Sequence, residues 1–173
     1  MAEEQNPAEV PGQANGAGEA QANQAQFEVH KLYTKDLSFE VPNAPHVFQE
    51  TGNADIKMNL SQRADDLGQD MHEVVLTVTV TAMLGEKTAY LAEVHQAGIF
   101  RISGFNEAAT HAAINTLCPH TLFPYAREAV TALVARGGFP PLVLQPINFE
   151  QIYAQRMSEA QAKARGAAPA ADA

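Results

Sequence analysis

Few residues in this chain have side chains able to do chemistry, and their spacing favours binding over catalysis. Cys118-Pro119-His120 sets a thiol near an imidazole, the pairing a cysteine nucleophile requires. The intervening proline ends a helix, and no orienting carboxylate is evident nearby. A buried structural cysteine is the expected role. His30, His46, His72, His95, His111 and His120 form no His-x-His pair, and His72-Glu73 lacks the second histidine of a His-Glu-x-x-His site. Asp65, Asp66 and Asp70 lack the spacing of a calcium loop and read as a solvated turn. No Gly-x-x-x-x-Gly-Lys cradle and no Gly-x-Ser-x-Gly elbow occurs. The expectation is a protein that is not an enzyme, with no cofactor and no metal.

The carboxylates are better organised. Asp36, Ser38 and Glu40 alternate with Leu37, Phe39 and Val41, the period of a half-buried strand. Pro42 and Pro45 end that strand, because proline has no N–H to donate to a ladder. Leu91 and Glu93 share a second strand face. If the two strands lie in one sheet, three carboxylates and a leucine face outward together. Such a patch is either an ordinary solvated face or a docking surface for a basic or metal-bearing protein surface. A second feature is apolar material on loops. Phe48 and the stretch 138–147, Gly-Phe-Pro-Pro-Leu-Val-Leu-Gln-Pro-Ile, have no regular element to bury them. They either plug the chain's own core or wall an open groove.

The remaining composition narrows the partners. A chain of 173 residues carries one domain with a real core. Its net charge is −9 with no basic run, which argues against nucleic acid and against an anionic membrane surface. Residues 1–25 hold Glu3, Glu4, Glu9 and Glu19 without a single Lys or Arg, and they offer little to bury. They are expected to be a disordered acidic tail, as are the last residues, 166–173. The single cysteine forbids an internal disulfide. No basic start followed by an apolar stretch marks a signal peptide, and no window suits membrane insertion. The expected location is the cytoplasm.

These residues need elements to position them. Four strands are predicted: 27–41, a short one over Ile56–Leu60, 73–83, and 88–102, the last two joined by Leu84-Gly85-Glu86-Lys87. Short connections imply antiparallel neighbours. Three helices follow. The first is capped by Asn106 and ends near Cys118; the second runs from about Thr121 to Arg136 with Pro124 in its first turn and Gly137 as C-cap; the third covers 149–164, opened by Asn148 and Gln151. The fold class is α+β, a four-stranded antiparallel sheet with helices packed on one face.

Five segments in order carry a family resemblance. They are Tyr33-Thr-Lys-Asp-Leu-Ser-Phe-Glu-Val-Pro-Asn-Ala-Pro-His-Val-Phe, Glu73-Val-Val-Leu-Thr-Val-Thr-Val-Thr-Ala, Leu91-Ala-Glu-Val-His-Gln-Ala-Gly-Ile-Phe, Cys118-Pro-His-Thr-Leu-Phe-Pro-Tyr-Ala-Arg-Glu, and Phe139-Pro-Pro-Leu-Val-Leu-Gln-Pro-Ile-Asn-Phe. Together they resemble SecB, the bacterial protein-export chaperone family, over residues 26 to about 160, within an expected domain of 26–165. The resemblance implies an ATP-independent chaperone that holds unfolded precursor polypeptides in the cytoplasm and delivers them to the SecA motor ATPase. It implies docking of SecA at Asp36, Glu40, Leu91 and Glu93. It implies a client groove with Phe48, Ile56, Met58, Leu60, Phe139, Leu142 and Leu144. It also implies a homotetramer, a dimer of dimers, with Ala92, Val94 and Gln96 linked to self-association. The chain departs from the family where relatives carry tryptophan and it has Gly52, and in its alanine-rich C-terminal tail. The reading from another class is a scaffold that binds one folded partner through the acidic sheet face.

Overall fold

The structure, a computed structural model, describes residues 25–166. The tails expected to be disordered, 1–25 and 166–173, fall outside the described residues save for Ala25 and Gly166. Four strands come first: β1 (Gln26–Glu40), β2 (Asp55–Gly68), β3 (Met71–Leu84) and β4 (Lys87–Ser103). Three helices follow: α1 (Glu107–Asn115), α2 (Leu117–Arg136) and α3 (Phe149–Gly166).

The strands form one antiparallel sheet in the order β1-β4-β3-β2. The β3–β4 hairpin turns on Gly85-Glu86, with Leu84 paired to Lys87. Gly85 has φ 59°, a left-handed value that glycine adopts without a Cβ clash. The β2–β3 hairpin turns at Gln69 and Asp70, both also at positive φ. β1 does not pair with β2. The chain leaves β1 and crosses the sheet through residues 41–54, with one 3-10 turn at His46–Gln49, before starting the far edge.

The inner face packs on the helices. Val74, Leu76, Val78, Val80 and Ala82 of β3 lie opposite Gly98, Gln96, Val94, Ala92 and Tyr90 of β4, and all but the glycine and glutamine belong to the core cluster. Beta-branched side chains suit this pleated surface. Two bulges disturb β1, at His30 and at Lys35, where the pairing with β4 skips a residue. They reset the alternation, so that Phe27, Leu32 and Phe39 face the core while Tyr33, Asp36, Ser38 and Glu40 face out.

Helix α2 is the main cover. Pro119, Leu122, Phe123, Ala126, Val130 and Val134 recur every three or four residues and are buried against β3 and β4. Each large one contributes about 1.5–3 kcal/mol of burial. The break between α1 and α2 falls at Thr116, before the expected position at Cys118. Pro119 then sits within the first turn of α2, where its missing N–H costs nothing. Pro124 lies inside the helix instead of in its first turn. The helix ends in a Schellman arrangement: Gly138 N–H donates to Ala135 O and Phe139 N–H to Val134 O. Gly138, at φ 85°, supplies the left-handed residue. Gly137 is needed for another reason, since a Cβ there would stand 2.2 Å from the Phe39 ring. Asn106 and Asn148 cap α1 and α3 as expected, accepting from the N–H groups of Ala109 and Gln151.

Candidate functional site

The outer face of the sheet gathers the predicted carboxylates. Glu40 pairs with Leu91, Ser38 with Glu93 and Asp36 with His95 across the β1–β4 ladder. Cross-strand partners share a face, so Asp36, Glu40, Leu91 and Glu93 stand together at one end of the sheet, uncovered by any described helix. Glu93 is held by both oxygens. Thr79 donates its hydroxyl to Oε2 at 2.7 Å, and His95 Nε2 lies 2.9 Å from Oε1. These contacts, His95 first and Thr79 second, keep the Glu93 carboxyl below the usual range, so it is charged at neutral pH. His95 and Thr79 are partners that alternation alone did not single out.

The other end of the outer face is occupied by its own ion cluster. Tyr33 reaches across β4 over Ala97 and donates its hydroxyl to Glu73, while Lys35 Nζ meets both Glu73 oxygens at 2.7 and 2.8 Å. Arg63 on β2 approaches the same carboxylate at 3.8 Å and pairs with Asp65 at 3.0 Å. Lys35 and Tyr33 hold the Glu73 carboxyl low, and Glu73 in turn pushes the Tyr33 phenol up to about 12. Glu73 is thus spent on neighbours within the chain. The carboxylates of the first patch have no lysine or arginine paired with them among the described residues.

The apolar loop material forms an open cleft on the opposite side. A space of about 460 Å³ is lined by Phe48, Ile56, Tyr90, Phe139 and Leu142, with Val47 and Ala89 at its floor. An aromatic run builds its wall: Phe39 on Tyr90 at 5.7 Å between ring centroids, Tyr90 on Phe139 at 4.9 Å, and Phe139 on Phe48 at 5.2 Å. Thr131 ties the loop to α2 by donating to Leu142 O at 2.6 Å. Phe48 remains 52% exposed, and Ile56 and Met58 are 37% and 42% exposed along the same face of β2. Tyr90, Val47 and Ala89 escaped the sequence reading; the alternation Tyr90, Ala92, Val94 would have placed the first of them on the inner face.

Not every expected groove residue lines this cleft. Leu60 lies further along β2 and borders a smaller cleft under α3, with Phe149, Ile152 and Tyr153. Leu144 is 7% exposed and packs inside the core, so it anchors the loop and does not face the cleft. Ala92, Val94 and Gln96 sit under the helices on the inner face. Gln96, buried at 3% exposure, donates to the Tyr33 carbonyl at 3.0 Å, so its amide is satisfied within the chain. Cys118 is fully buried, and burial pushes its thiol up to about 12. No metal-holding cluster occurs among the described residues, and no described helix is long and apolar enough to cross a membrane.

The family described as preprotein translocase subunit SecB matches residues 20–160. A protein-export protein SecB of Nitrosococcus oceani is 48% identical over 143 residues, 82% of this chain and 87% of that protein. Those of Methylococcus capsulatus and Stutzerimonas stutzeri are 49% and 46% identical, covering 87% and 91% of this chain and 97% and 96% of their own lengths. Among solved structures, a SecB-like chaperone of Mycobacterium tuberculosis in complex with a ChAD peptide from the HigA1 antitoxin superposes with a TM-score of 0.56. The two chains are 21% identical, over 70% of this chain and 91% of that one, and share a fold. The family match over residues 20–160 and this breadth of sequence identity place the chain in the SecB family of protein-export chaperones.

Proposed function

We propose that this chain is an ATP-independent holding chaperone of the cytoplasm. It binds unfolded precursor polypeptides in the apolar cleft, keeps them competent for export, and passes them to the SecA motor ATPase at the acidic sheet face. The observation that carries this reading is the segregation of the two surfaces. The cleft lies where the inner face runs past its helices, and Asp36, Glu40, Leu91 and Glu93 lie on the outer face. A client can therefore occupy one while a cationic partner reads the other. The cleft selects by exposed apolar side chains, which non-native chains show and folded ones hide. The peptide bound by the Mycobacterium tuberculosis chaperone supports client binding on this fold.

The active form is a homotetramer, a dimer of dimers. Exposed Leu117 and Tyr125 on α2 and Val143 on the adjoining loop favour further cover. Ala92, Val94 and Gln96 act on that assembly by setting how α2 rests on the sheet. Several clefts on one particle raise client affinity through effective concentration. The test is light scattering of a chemically unfolded protein diluted with and without this chain, no nucleotide added. Suppression at near-stoichiometric tetramer is expected, with no binding of the same protein once folded. Absence of suppression removes the client cleft from the account.

A further inference from the structure

We infer that His95 is a positioning residue of the acidic face, which fixes the Glu93 carboxylate and, once protonated, weakens capture of a cationic partner. The inference rests on the docking role proposed above.

His95 projects outward from β4 two residues beyond Glu93, directly opposite Asp36 on β1 and Thr77 on β3. Its Nε2 lies 2.9 Å from Glu93 Oε1, and its Nδ1 lies 3.4 Å from Thr77 Oγ1. A carboxylate only accepts, so Nε2 carries the hydrogen in either protonation state. The Thr77 hydroxyl can donate to a bare Nδ1 or accept from a protonated one. Neither contact need break when the ring gains a proton. The imidazole keeps hold of Glu93, and only the local charge changes.

That change falls in the middle of the docking patch. From β1, Asp36 faces the ring, with Ser38 and Tyr33 flanking it; from β4, Glu93 does; β3 contributes only Thr77 and Thr79. Glu73 is two outward positions further along β3 and already engaged by Lys35. No described helix covers this face. Protonation adds one positive charge beside the carboxylates of Asp36, Glu40 and Glu93, so the net charge of the patch goes from −3 to −2. Imidazole ordinarily titrates between about pH 5 and 8, where exposed carboxylates keep their charge. Docking should therefore weaken on mild acidification while the groove, whose lining holds no histidine, keeps its clients.

The experiment is a calorimetric titration of the full chain with purified SecA at constant ionic strength, from about pH 8 to about pH 6. It compares wild type, His95→Gln, His95→Ala and Glu93→Lys, each checked for an unchanged melting temperature. Glutamine offers an N–H to Glu93 and does not titrate. His95→Gln should bind as wild type at the alkaline end. Wild type should lose about threefold to fivefold more affinity than His95→Gln on acidification. The difference between the two cancels any titration of the partner itself. His95→Ala should bind several-fold more weakly even at the alkaline end. Equal pH slopes for wild type and His95→Gln, or an alanine variant as tight as wild type, would overturn the inference. Glu93→Lys separates the two levels. If it binds SecA as tightly as wild type, the docking reading itself fails; if it does not bind and the slopes are equal, only the role of His95 fails.

Discussion

Phe48 divides its ring between the fold and the solvent, and its removal should register in both. A phenylalanine carries roughly 200 Å² of apolar surface. At 52% exposure, about 100 Å² stays open to water and is worth up to about 2.5 kcal/mol if a client covers it, at 25 cal/mol per Å². A mobile client covers part of it, so about 1 kcal/mol, or a fivefold to tenfold loss of client affinity, is expected for Phe48→Ala. The buried half rests on Phe139 at 5.2 Å, and its loss should lower fold stability by about 1–2 kcal/mol. Val130, buried in α2 and not among the residues that line the cleft, is the control. It is 0% exposed, so Val130→Ala should cost a similar 1–2 kcal/mol of stability and leave client affinity within about twofold. The assays are urea unfolding for stability and fluorescence titration with a labelled, unfolded client. Phe48→Ala with a shifted urea midpoint and unchanged client affinity would refute the assignment of this ring to the client surface. Equal losses of client affinity in both variants would refute it as well, because the effect would then follow stability alone.

Other outcomes follow from the same structure. Cys118, its thiol pushed up to about 12 by burial, should resist a thiol reagent at mildly alkaline pH and react fully in denaturant; rapid labelling of the folded chain would contradict its placement. Cys118→Ala should leave client holding intact, at a stability cost of about 1–2 kcal/mol. Glu73 is held below its ordinary value of 4.5 by Lys35 and then Tyr33, so its contribution to stability is complete above that pH and is lost as the pH falls below it. Glu73→Gln should therefore lower stability by about 1 kcal/mol near pH 7 and approach wild type near pH 3; a gap that persists in acid would count against the ion cluster.

Much of the fold was legible because its period is strong. β3 shows five alternating apolar residues from Val74 to Ala82, and the structure pairs them inward without interruption. The Asn106 and Asn148 caps were equally readable, since a short polar side chain before a helical pattern has a specific donor to satisfy. β2 is longer than the predicted Ile56–Leu60. Beyond Leu60 it continues as Ser61, Gln62, Arg63, Ala64, Asp65 and Asp66, which show no apolar alternation. It is an edge strand held by its ladder to β3, so little burial is demanded of those side chains. The helix break lies at Thr116 and not before Pro119, because a proline in a first turn begins a helix as well as it ends one. In the site, Asp36, Glu40, Leu91 and Glu93 were found by period two, and their meeting depends on β1 crossing to the edge beside β4. That pairing is non-local, and no local pattern encodes it. The inward packing of Leu144 was hidden for a similar reason: in a proline-rich stretch neither period applies, and only the tertiary contact decides which apolar residue is anchor and which is wall.

The central claim is that client holding and motor docking use separate surfaces of one sheet. The most direct measurement is Glu93→Lys assayed on one preparation in two ways: suppression of client aggregation by light scattering, and binding to purified SecA by calorimetry. The account predicts suppression within about twofold of wild type and binding to SecA reduced at least about a hundredfold, as a reversed charge in a carboxylate patch repels a cationic partner. Loss of both activities in a variant that melts like wild type would mean that the surfaces are not separate. Loss of neither would mean that the acidic face is an ordinary solvated sheet.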